Sequence, residues 1–168
     1  MPLGDRTIST SLTESEGARL AELASGRRVL ELGSANGYSA VRMAASAAGV
    51  LAVDPHAHVP GSLERMRENL SLFDPERRVS MLLAFSEDAL PWLASVGARF
   101  DLIFIDADHS EKAVLHDVAH AYALLAPGAV MVCHDYGEDS CPGVKLALDA
   151  SMGAPDALTD TLWEWTQR

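Results

Sequence analysis

Short apolar runs alternate along this chain with longer segments in which apolar residues recur every three or four positions. The short runs are typical of buried β-strands, and the longer segments are typical of amphipathic helices. Regular alternation of the two indicates parallel strands joined by crossover helices. We therefore predict an α/β fold with a doubly wound, mostly parallel sheet in one three-layer domain. The predicted strands are residues 29–32, 50–53, 79–83, 100–105 and 129–133.

The segments around these strands are predicted helices, which cover residues 15–24, 40–48, 63–73, 86–95, 111–125 and 144–151. One closing strand is predicted at 158–165. We expect residues 1–168 to form a single domain, in which 1–27 supply the first helix and 28–168 supply the core.

The balance of charges narrows the class of ligand. The chain has 168 residues, of which 24 are acidic and 13 basic, so its formal net charge is −11. Such a chain repels a phosphate backbone, and a small molecule is therefore a better partner than nucleic acid.

The sequence also bears on the location of the protein. No window is apolar enough to span a membrane, and the first residues lack a leader pattern, so we expect a cytoplasmic protein without a membrane partner. We expect Cys133 and Cys141 to be reduced thiols.

The first predicted strand runs directly into a turn of small residues, from Gly33 to Gly37, and then into a helix. Small side chains let the backbone N–H groups of such a turn approach the polar or anionic end of a ligand. The dinucleotide fingerprint G-x-G-x-x-G fails, since Ala35 and Tyr38 occupy its second and third glycine positions. This spacing disfavours a nicotinamide-dependent oxidoreductase. An ordinary buried strand followed by a tight turn is the alternative.

The other strands also end in polar residues. Asp54 ends the second strand about 20 residues after the glycine turn, where a carboxylate can accept both ribose hydroxyl protons. The fourth strand stops at Asp106, Asp108 and His109, a cluster that helix capping explains only in part. The fifth strand stops at His134 and Asp135.

The ends of the fourth and fifth strands suggest a metal site if the two strands are neighbours. Asp106, His134 and Asp135 would then converge on one divalent cation, which accepts carboxylate oxygen and imidazole nitrogen. An all-oxygen site suits Mg²⁺, whereas an imidazole shifts the preference toward Mn²⁺, Fe²⁺ or Zn²⁺. The alternative is that His134 and Asp135 simply pair in a polar cleft.

These motifs carry a family resemblance that spans about residues 29–145. Glu31, Gly33 and Gly37 match the E/D-x-G-x-G-x-G motif of class I S-adenosylmethionine-dependent methyltransferases, with Ala35 at the middle glycine. The whole segment 29–44 resembles the catechol O-methyltransferases. Segments 104–110, 134–136 and 142–145 are similar to the small bacterial methyltransferases of the Methyltransferase-24 type.

The resemblance implies a Rossmann-like fold, S-adenosylmethionine as cofactor and S-adenosylhomocysteine as product. Ser39 would reach the cofactor's carboxylate, Asp54 would hold its ribose, and residues 85–87 would contact its adenine. Asp106 would serve both the cofactor's amine and a metal ion, Mg²⁺ or another divalent cation. The implied cofactor-binding residues are Glu31, Gly33, Ser34, Gly37, Tyr38, Ser39, Asp54, Pro55, Phe85, Ser86, Glu87 and Asp106.

The resemblance also implies a catalytic base. His109 stands where the catechol enzymes have a lysine, and Asp108 is an alternative base or the group that orients His109. His134 stands where those enzymes have an aspartate, and this departure puts Mg²⁺ in doubt.

The two ends of the chain also depart from the pattern of this class. Only about 28 residues precede the first strand, and one closing strand stands where the class usually has two, so the fold has a reduced C-terminal end. The resemblance therefore implies that 1–27 form a helix and a short lid over the cofactor-binding core of 28–168. The site is then open, unless a second subunit covers it. Trp163 and Trp165 are interpreted as core residues of the closing strand, although they could also cover the site from a second copy of the chain.

The predicted function is therefore methyl transfer from a sulfonium to a hydroxyl group of a small molecule, with the assistance of a divalent metal left open. N- or C-methylation on the same scaffold is one alternative. A non-catalytic cofactor-binding subunit is another, although a pure binding module has no need of a base beside the sulfonium. The sequence leaves open whether the chain forms a homo-oligomer.

Overall fold

A seven-stranded sheet organises the chain in the computed structural model, which describes residues 8–168. In chain order, the elements are α1 (Glu14–Leu23), β1 (Arg28–Leu32), α2 (Tyr38–Ala44), β2 (Gly49–Val53), α3 (Ser62–Phe73), β3 (Val79–Leu82), α4 (Ser86–Ser95), β4 (Phe100–Ile105), α5 (Glu111–Tyr122), β5 (Leu125–Cys133), α6 (Pro142–Ser151), β6 (Ala157–Thr159) and β7 (Leu162–Thr166). The strand order is β3-β2-β1-β4-β5-β7-β6. The first five strands are parallel, and β7 is antiparallel to both of its neighbours. The predicted doubly wound, mostly parallel sheet is confirmed.

Helices cover both faces of the sheet and give the predicted three layers. On one face, apolar residues of α4, α5 and α6 pack against the central strands around the fully buried Leu30, Ile103 and Met131. On the other face, α1 and α2 pack over Leu102 and Phe104. Because the central strands are buried on both faces, they read as continuous apolar runs, which is why the sequence revealed them.

The closing part of the sheet corrects one prediction. A single strand was expected at 158–165, but β6 and β7 form a short antiparallel hairpin. The chain reverses at Asp160, whose φ of 51° lies in the left-handed region that a continuous strand does not use. Trp163 on β7 is fully buried, so the interpretation of this side chain as core is confirmed.

Three element boundaries also differ from prediction. The helix expected at 40–48 ends at Ala44, because the chain must turn before β2 begins at Gly49. The helix expected to reach residue 125 ends at Tyr122, and β5 begins at Leu125 rather than at 129. Pro127 and Gly128 look like a turn in the sequence, but they lie within β5 where its register with β4 shifts.

The N-terminal segment 1–27 was expected to supply a helix, and α1 lies within it. Residues 1–7 of that segment lie outside the described residues, so the short lid stays a prediction. Among the helices of residues 8–168, none combines the length and the apolar character needed to cross a membrane.

Candidate active site

A cleft of about 530 Å³ lies beyond the carboxyl ends of the parallel strands. Ligands of doubly wound sheets bind at this edge, where the strand order reverses between β1 and β4. Both predicted catalytic residues and seven of the twelve predicted cofactor-binding residues border the cleft. The predicted residues that line it are Gly33, Asp54, Pro55, Phe85, Ser86, Glu87, Asp106, Asp108 and His109.

The turn after β1 forms the floor of the cleft. Gly33 has a φ of +85°, and a Cβ atom added there would lie 2.0 Å from the carbonyl oxygen of Asp106. Only glycine fits this position, because its backbone touches the end of β4. Ala35, at the position of the middle glycine of the motif, also has a positive φ of 41°. This conformation explains why the family motif has glycine there.

Asp54 fixes the same turn through its carboxylate. Its Oδ2 accepts hydrogen bonds from the backbone nitrogens of Ser34, at 2.9 Å, and Ala35, at 2.8 Å. Its Oδ1 accepts a hydrogen bond of 2.6 Å from the nitrogen of His56. The carboxylate therefore links the ends of β1 and β2 while it borders the cleft, in the position predicted for a ribose ligand.

Glu31 and Ser39 lie beneath the turn rather than in the cleft. Glu31 is fully buried, and its carboxyl group accepts a hydrogen bond from the Ser39 hydroxyl. Burial raises the pKa of Glu31 to about 8 in spite of this hydrogen bond. Glu31 is therefore protonated at neutral pH, and the Ser39 hydroxyl is occupied by it. Their predicted contacts with a cofactor remain predictions.

Tyr38 points away from the cleft. Its ring lies against Gly17 on α1, where an added Cβ atom would be 2.6 Å from the Tyr38 hydroxyl. The hydroxyl lies 3.4 Å from Glu14. The Tyr38 side chain thus packs α1 onto α2, and only the backbone of this residue belongs to the turn.

A second wall of the cleft combines predicted and unforeseen residues. Phe85, the N-cap of α4, is 46% exposed and presents its ring to the cleft. His58 lies edge-on to that ring, with the two centroids 6.1 Å apart. His58 and Val59 line the cleft but were not predicted, because they lie in a loop without secondary-structure periodicity.

The ends of β4 and β5 bring two imidazoles and two carboxylates together. His109 Nε2 lies 2.9 Å from Asp135 Oδ2 and 3.3 Å from Asp106 Oδ1. His134 Nδ1 lies 3.3 Å from the same two oxygens. Each carboxylate thus faces both imidazoles. The predicted convergence arises because β4 and β5 are neighbouring parallel strands.

These contacts shift the pKa values of all four groups. Hydrogen bonds to Asp106 and Asp135 raise the pKa of His109 to about 10. Although burial opposes its charge, the same two carboxylates raise the pKa of His134 to about 11. Burial also opposes the charges of the carboxylates, but the imidazoles hold the pKa values of Asp106 and Asp135 below the usual range.

His134 Nδ1 provides a test of whether this cluster suits a metal. The nitrogen is buried and makes no hydrogen bond with any described residue, although the oxygens of Asp106 and Asp135 are near it. One ligand atom from each of the three residues lies within 4.8 Å of the other two. Two carboxylate oxygens and an imidazole nitrogen are suitable ligands for a divalent cation, so these residues fit the predicted metal.

Asp108 and Cys141 lie at the edge of the cluster. Asp108 Oδ1 accepts a 2.7 Å hydrogen bond from the backbone nitrogen of Ser110, the N-cap of α5, so this carboxylate shapes the loop that carries His109. Cys141 has its sulfur within 4.8 Å of ligand atoms of His109 and Asp135. No sequence pattern indicates this proximity, because Cys141 ends the loop between β5 and α6.

Three comparisons place these features among known proteins. The sequence model of a family described as "Methyltransferase domain" matches residues 30–136. Catechol O-methyltransferase from Mycobacterium tuberculosis is 35% identical over 113 residues, or 67% of this chain. The chain spans half the length of that curated relative.

Solved structures agree with the fold. A Klebsiella pneumoniae protein, assigned as an O-methyltransferase, has a TM-score of 0.73 at 26% identity, over 95% of this chain and 83% of its own. The O-methyltransferase from Bacillus cereus in complex with SAH has a TM-score of 0.70 at 20% identity, over 83% of this chain and 70% of its own. At 20% identity, the similarity to the Bacillus cereus protein concerns the fold alone.

Proposed function

Since this chain belongs to the methyltransferase-domain family, we propose that it transfers the methyl group of S-adenosylmethionine to a hydroxyl oxygen of a small molecule. The arrangement of the cleft supports this proposal. Its lining contains Gly33 and Asp54 and also Asp106 and His109, which belong to the cluster of two carboxylates and two imidazoles. The first part suits a nucleoside with a polar tail, and the second suits the deprotonation of an acceptor.

The cofactor is proposed to lie along the ends of β1, β2 and β3. Asp54 holds the ribose hydroxyls, the backbone around Gly33 faces the methionine part, and Phe85 covers the adenine. Ser86 and Glu87 line the same wall. The acidic edge formed by Asp106 favours the positively charged sulfonium over the neutral product, S-adenosylhomocysteine.

The acceptor is proposed to lie beside His109. In the transfer, the acceptor oxygen forms a bond to the methyl carbon while the carbon–sulfur bond breaks, and the hydroxyl proton leaves to His109. The products are a methyl ether and S-adenosylhomocysteine. His109 is 39% exposed in its side chain, so an acceptor can reach it from the cleft. His109 accepts this proton as a neutral imidazole, a form that the two carboxylates disfavour because they raise its pKa to about 10.

Asp106, His134 and Asp135 are proposed to hold a divalent cation. When bound, the cation would balance the two carboxylates, lower the pKa of the acceptor hydroxyl and bring the pKa of His109 closer to neutrality. The imidazole of His134 favours Mn²⁺, Fe²⁺ or Zn²⁺ over Mg²⁺. Asp108 keeps its predicted role as the alternative base or as a residue that orients His109.

The acceptor is proposed to be a small molecule that enters from the open side of the cleft. The excess of acidic residues disfavours nucleic acid as the acceptor. Cover by a second copy of the chain stays a prediction, which sedimentation with and without cofactor would test.

Calorimetric titration tests the proposal directly. The purified protein is titrated with S-adenosylmethionine, S-adenosylhomocysteine and NAD, each with EDTA and with added Mg²⁺ or Mn²⁺. Micromolar binding of the two sulfur compounds without binding of NAD supports a methyltransferase. Absence of binding for both sulfur compounds contradicts the proposal. A change in affinity on addition of Mn²⁺ supports the metal, and its absence argues against the metal alone.

A further inference from the structure

Glu16 is a buried carboxylate that the proposed reaction does not use. It lies on α1 and is only 1% exposed. Its Oε1 accepts hydrogen bonds from the nitrogen of Thr161, at 2.9 Å, and from the Thr161 hydroxyl, at 2.7 Å. Its Oε2 accepts a hydrogen bond of 2.8 Å from the nitrogen of Thr13. The same Oε2 lies 3.4 Å from His134 Nε2.

The contact with His134 defines which nitrogen faces the acidic cluster. Because a carboxylate oxygen only accepts hydrogen bonds, the contact requires a proton on His134 Nε2. In the neutral imidazole, Nδ1 then carries the lone pair. That nitrogen faces Asp106 and Asp135 without a hydrogen bond to either. Without a metal, a proton on Nδ1 offsets the two carboxylates, and a divalent cation would replace that proton at the Nδ1 lone pair.

We infer that Glu16 is a positioning residue, which holds His134 through Nε2 so that Nδ1 is presented to a cation shared with Asp106 and Asp135. This inference rests on the metal site of the proposed function. Metal-binding histidines generally donate their second N–H group to a carboxylate or carbonyl, and that partner fixes the ring orientation and increases its basicity. Glu16 supplies such a partner from a helix 118 positions away in the chain.

The donors around Glu16 use both of its oxygens, with Thr161 on Oε1 and Thr13 and His134 on Oε2. Glutamine can complete a capping box through its single amide oxygen, but it then places its NH₂ group against the donors on the other side. The pair of acceptor oxygens is therefore specific to a carboxylate. A buried carboxylate is costly unless positive charge or several hydrogen bonds compensate it. Among its close partners, only His134 can supply positive charge, directly or by passing on that of a bound cation.

The affinity of the protein for Mn²⁺ tests the inference without reference to turnover. Free Mn²⁺ is followed by electron paramagnetic resonance as protein is added, in the absence of cofactor. We expect Glu16→Gln to weaken Mn²⁺ binding by about 10- to 100-fold, the usual effect of removing such a partner. The matched control is Thr161→Val, which removes one hydrogen bond to Glu16 and leaves the His134 contact. Circular dichroism verifies that both variants are folded.

Testing Glu16→Gln in a His134→Asp protein distinguishes positioning of His134 from a general structural role of Glu16. In a His134→Asp protein, residue 134 has no N–H group for Glu16 to hold, so Glu16→Gln should not weaken Mn²⁺ binding there. Equal weakening by Glu16→Gln in both backgrounds, or no greater weakening than Thr161→Val causes, would overturn the inference. A wild-type protein that binds S-adenosylhomocysteine but not Mn²⁺ also overturns it, while leaving methyl transfer in place.

Discussion

The two halves of the cleft are built in different ways. At the ends of β1 and β2, the polar groups are already paired, since Asp54 accepts three backbone N–H groups. At the ends of β4 and β5, charged side chains face one another, and buried His134 Nδ1 lacks a hydrogen bond among the described residues. The first half is preorganised by the backbone, whereas the second depends on a balance of charges. We therefore expect cofactor binding to depend on turn geometry and turnover to depend on side-chain chemistry.

Gly33→Ala should have the largest effect, since Gly33 touches Asp106 and thereby joins the two halves of the cleft. The added methyl group would lie 2.0 Å from a backbone oxygen, at a φ of +85°. We expect a loss of about 3 kcal/mol in the free energy of unfolding and loss of cofactor binding. Urea denaturation and titration with S-adenosylhomocysteine measure the two effects.

Gly26→Ala is the matched control for this substitution. Gly26 also has a positive φ, of +68°, but an added Cβ would meet no described atom within 4 Å. It should therefore cost only the strain of the left-handed conformation, about 1–2 kcal/mol, and leave cofactor affinity unchanged. If the two variants behave alike, the close approach of Gly33 to β4 is not what maintains the cleft.

His109→Ala should impair turnover and leave cofactor binding intact. We expect turnover to fall by about 10²-fold or more, because a general base contributes on that order, while cofactor affinity stays nearly normal. Steady-state rates with a competent acceptor and calorimetry with S-adenosylhomocysteine provide the two readouts. His120→Ala, at an exposed position of α5, is the control. Unchanged turnover would remove His109 from the mechanism.

Glu31→Gln should change how the stability of the protein depends on pH. The pKa of Glu31 is about 8 in the folded protein and near 4.5 in the unfolded chain. Between these values the folded state keeps a proton that the unfolded state has released, so this group lowers stability as pH rises. The slope approaches about 1.4 kcal/mol per pH unit. Because glutamine does not titrate, the stability of the variant should fall less than that of the wild type between pH 5 and pH 8, by about this slope. Denaturation midpoints measured across this range test the difference. Parallel pH profiles would show that the group is not protonated in the fold.

Ala35→Gly has the smallest expected effect and the opposite sign. Glycine relieves the left-handed strain at Ala35, and we expect a gain of up to about 1 kcal/mol in the free energy of unfolding. Ala94→Gly on the exposed side of α4 is the control and should cost about 0.5–1 kcal/mol. Thermal denaturation of both variants measures the difference. A loss of stability at both positions would mean that Ala35 is unstrained.

The half of the cleft at the ends of β1 and β2 was largely predictable from the sequence. The end of β1, the glycine turn and Asp54 follow one another within a short stretch, so local rules fix their relation. The meeting of Asp106 with His134 and Asp135 also followed from the expectation that β4 and β5 are neighbours. The hairpin of β6 and β7 was missed because its reversal at Asp160 has neither glycine nor proline to mark it.

Two side chains that contact the charged cluster at the ends of β4 and β5 were not predictable. Glu16 reaches His134 from a helix at the start of the described chain, and it looks like an ordinary capping residue in the sequence. Cys141 reaches the cluster through a loop whose path no periodicity defines. In both examples the relevant distance is set by packing between elements, which depends on the complete fold rather than on local pattern.

The junction between α1 and the β6–β7 hairpin has a consequence for how the protein folds. Besides the Glu16–Thr161 contact, Arg19 forms an ion pair of 2.8 Å with Glu164, and the Thr13 hydroxyl donates a 2.7 Å hydrogen bond to Asp160. These pairs are separated by 145 to 147 positions, so each closes a loop nearly as long as the chain. Contacts of such sequence separation must close a long loop, and they form late in folding. On the ribosome, the contacts of Thr13, Glu16 and Arg19 with the hairpin can form only after the hairpin has been synthesised.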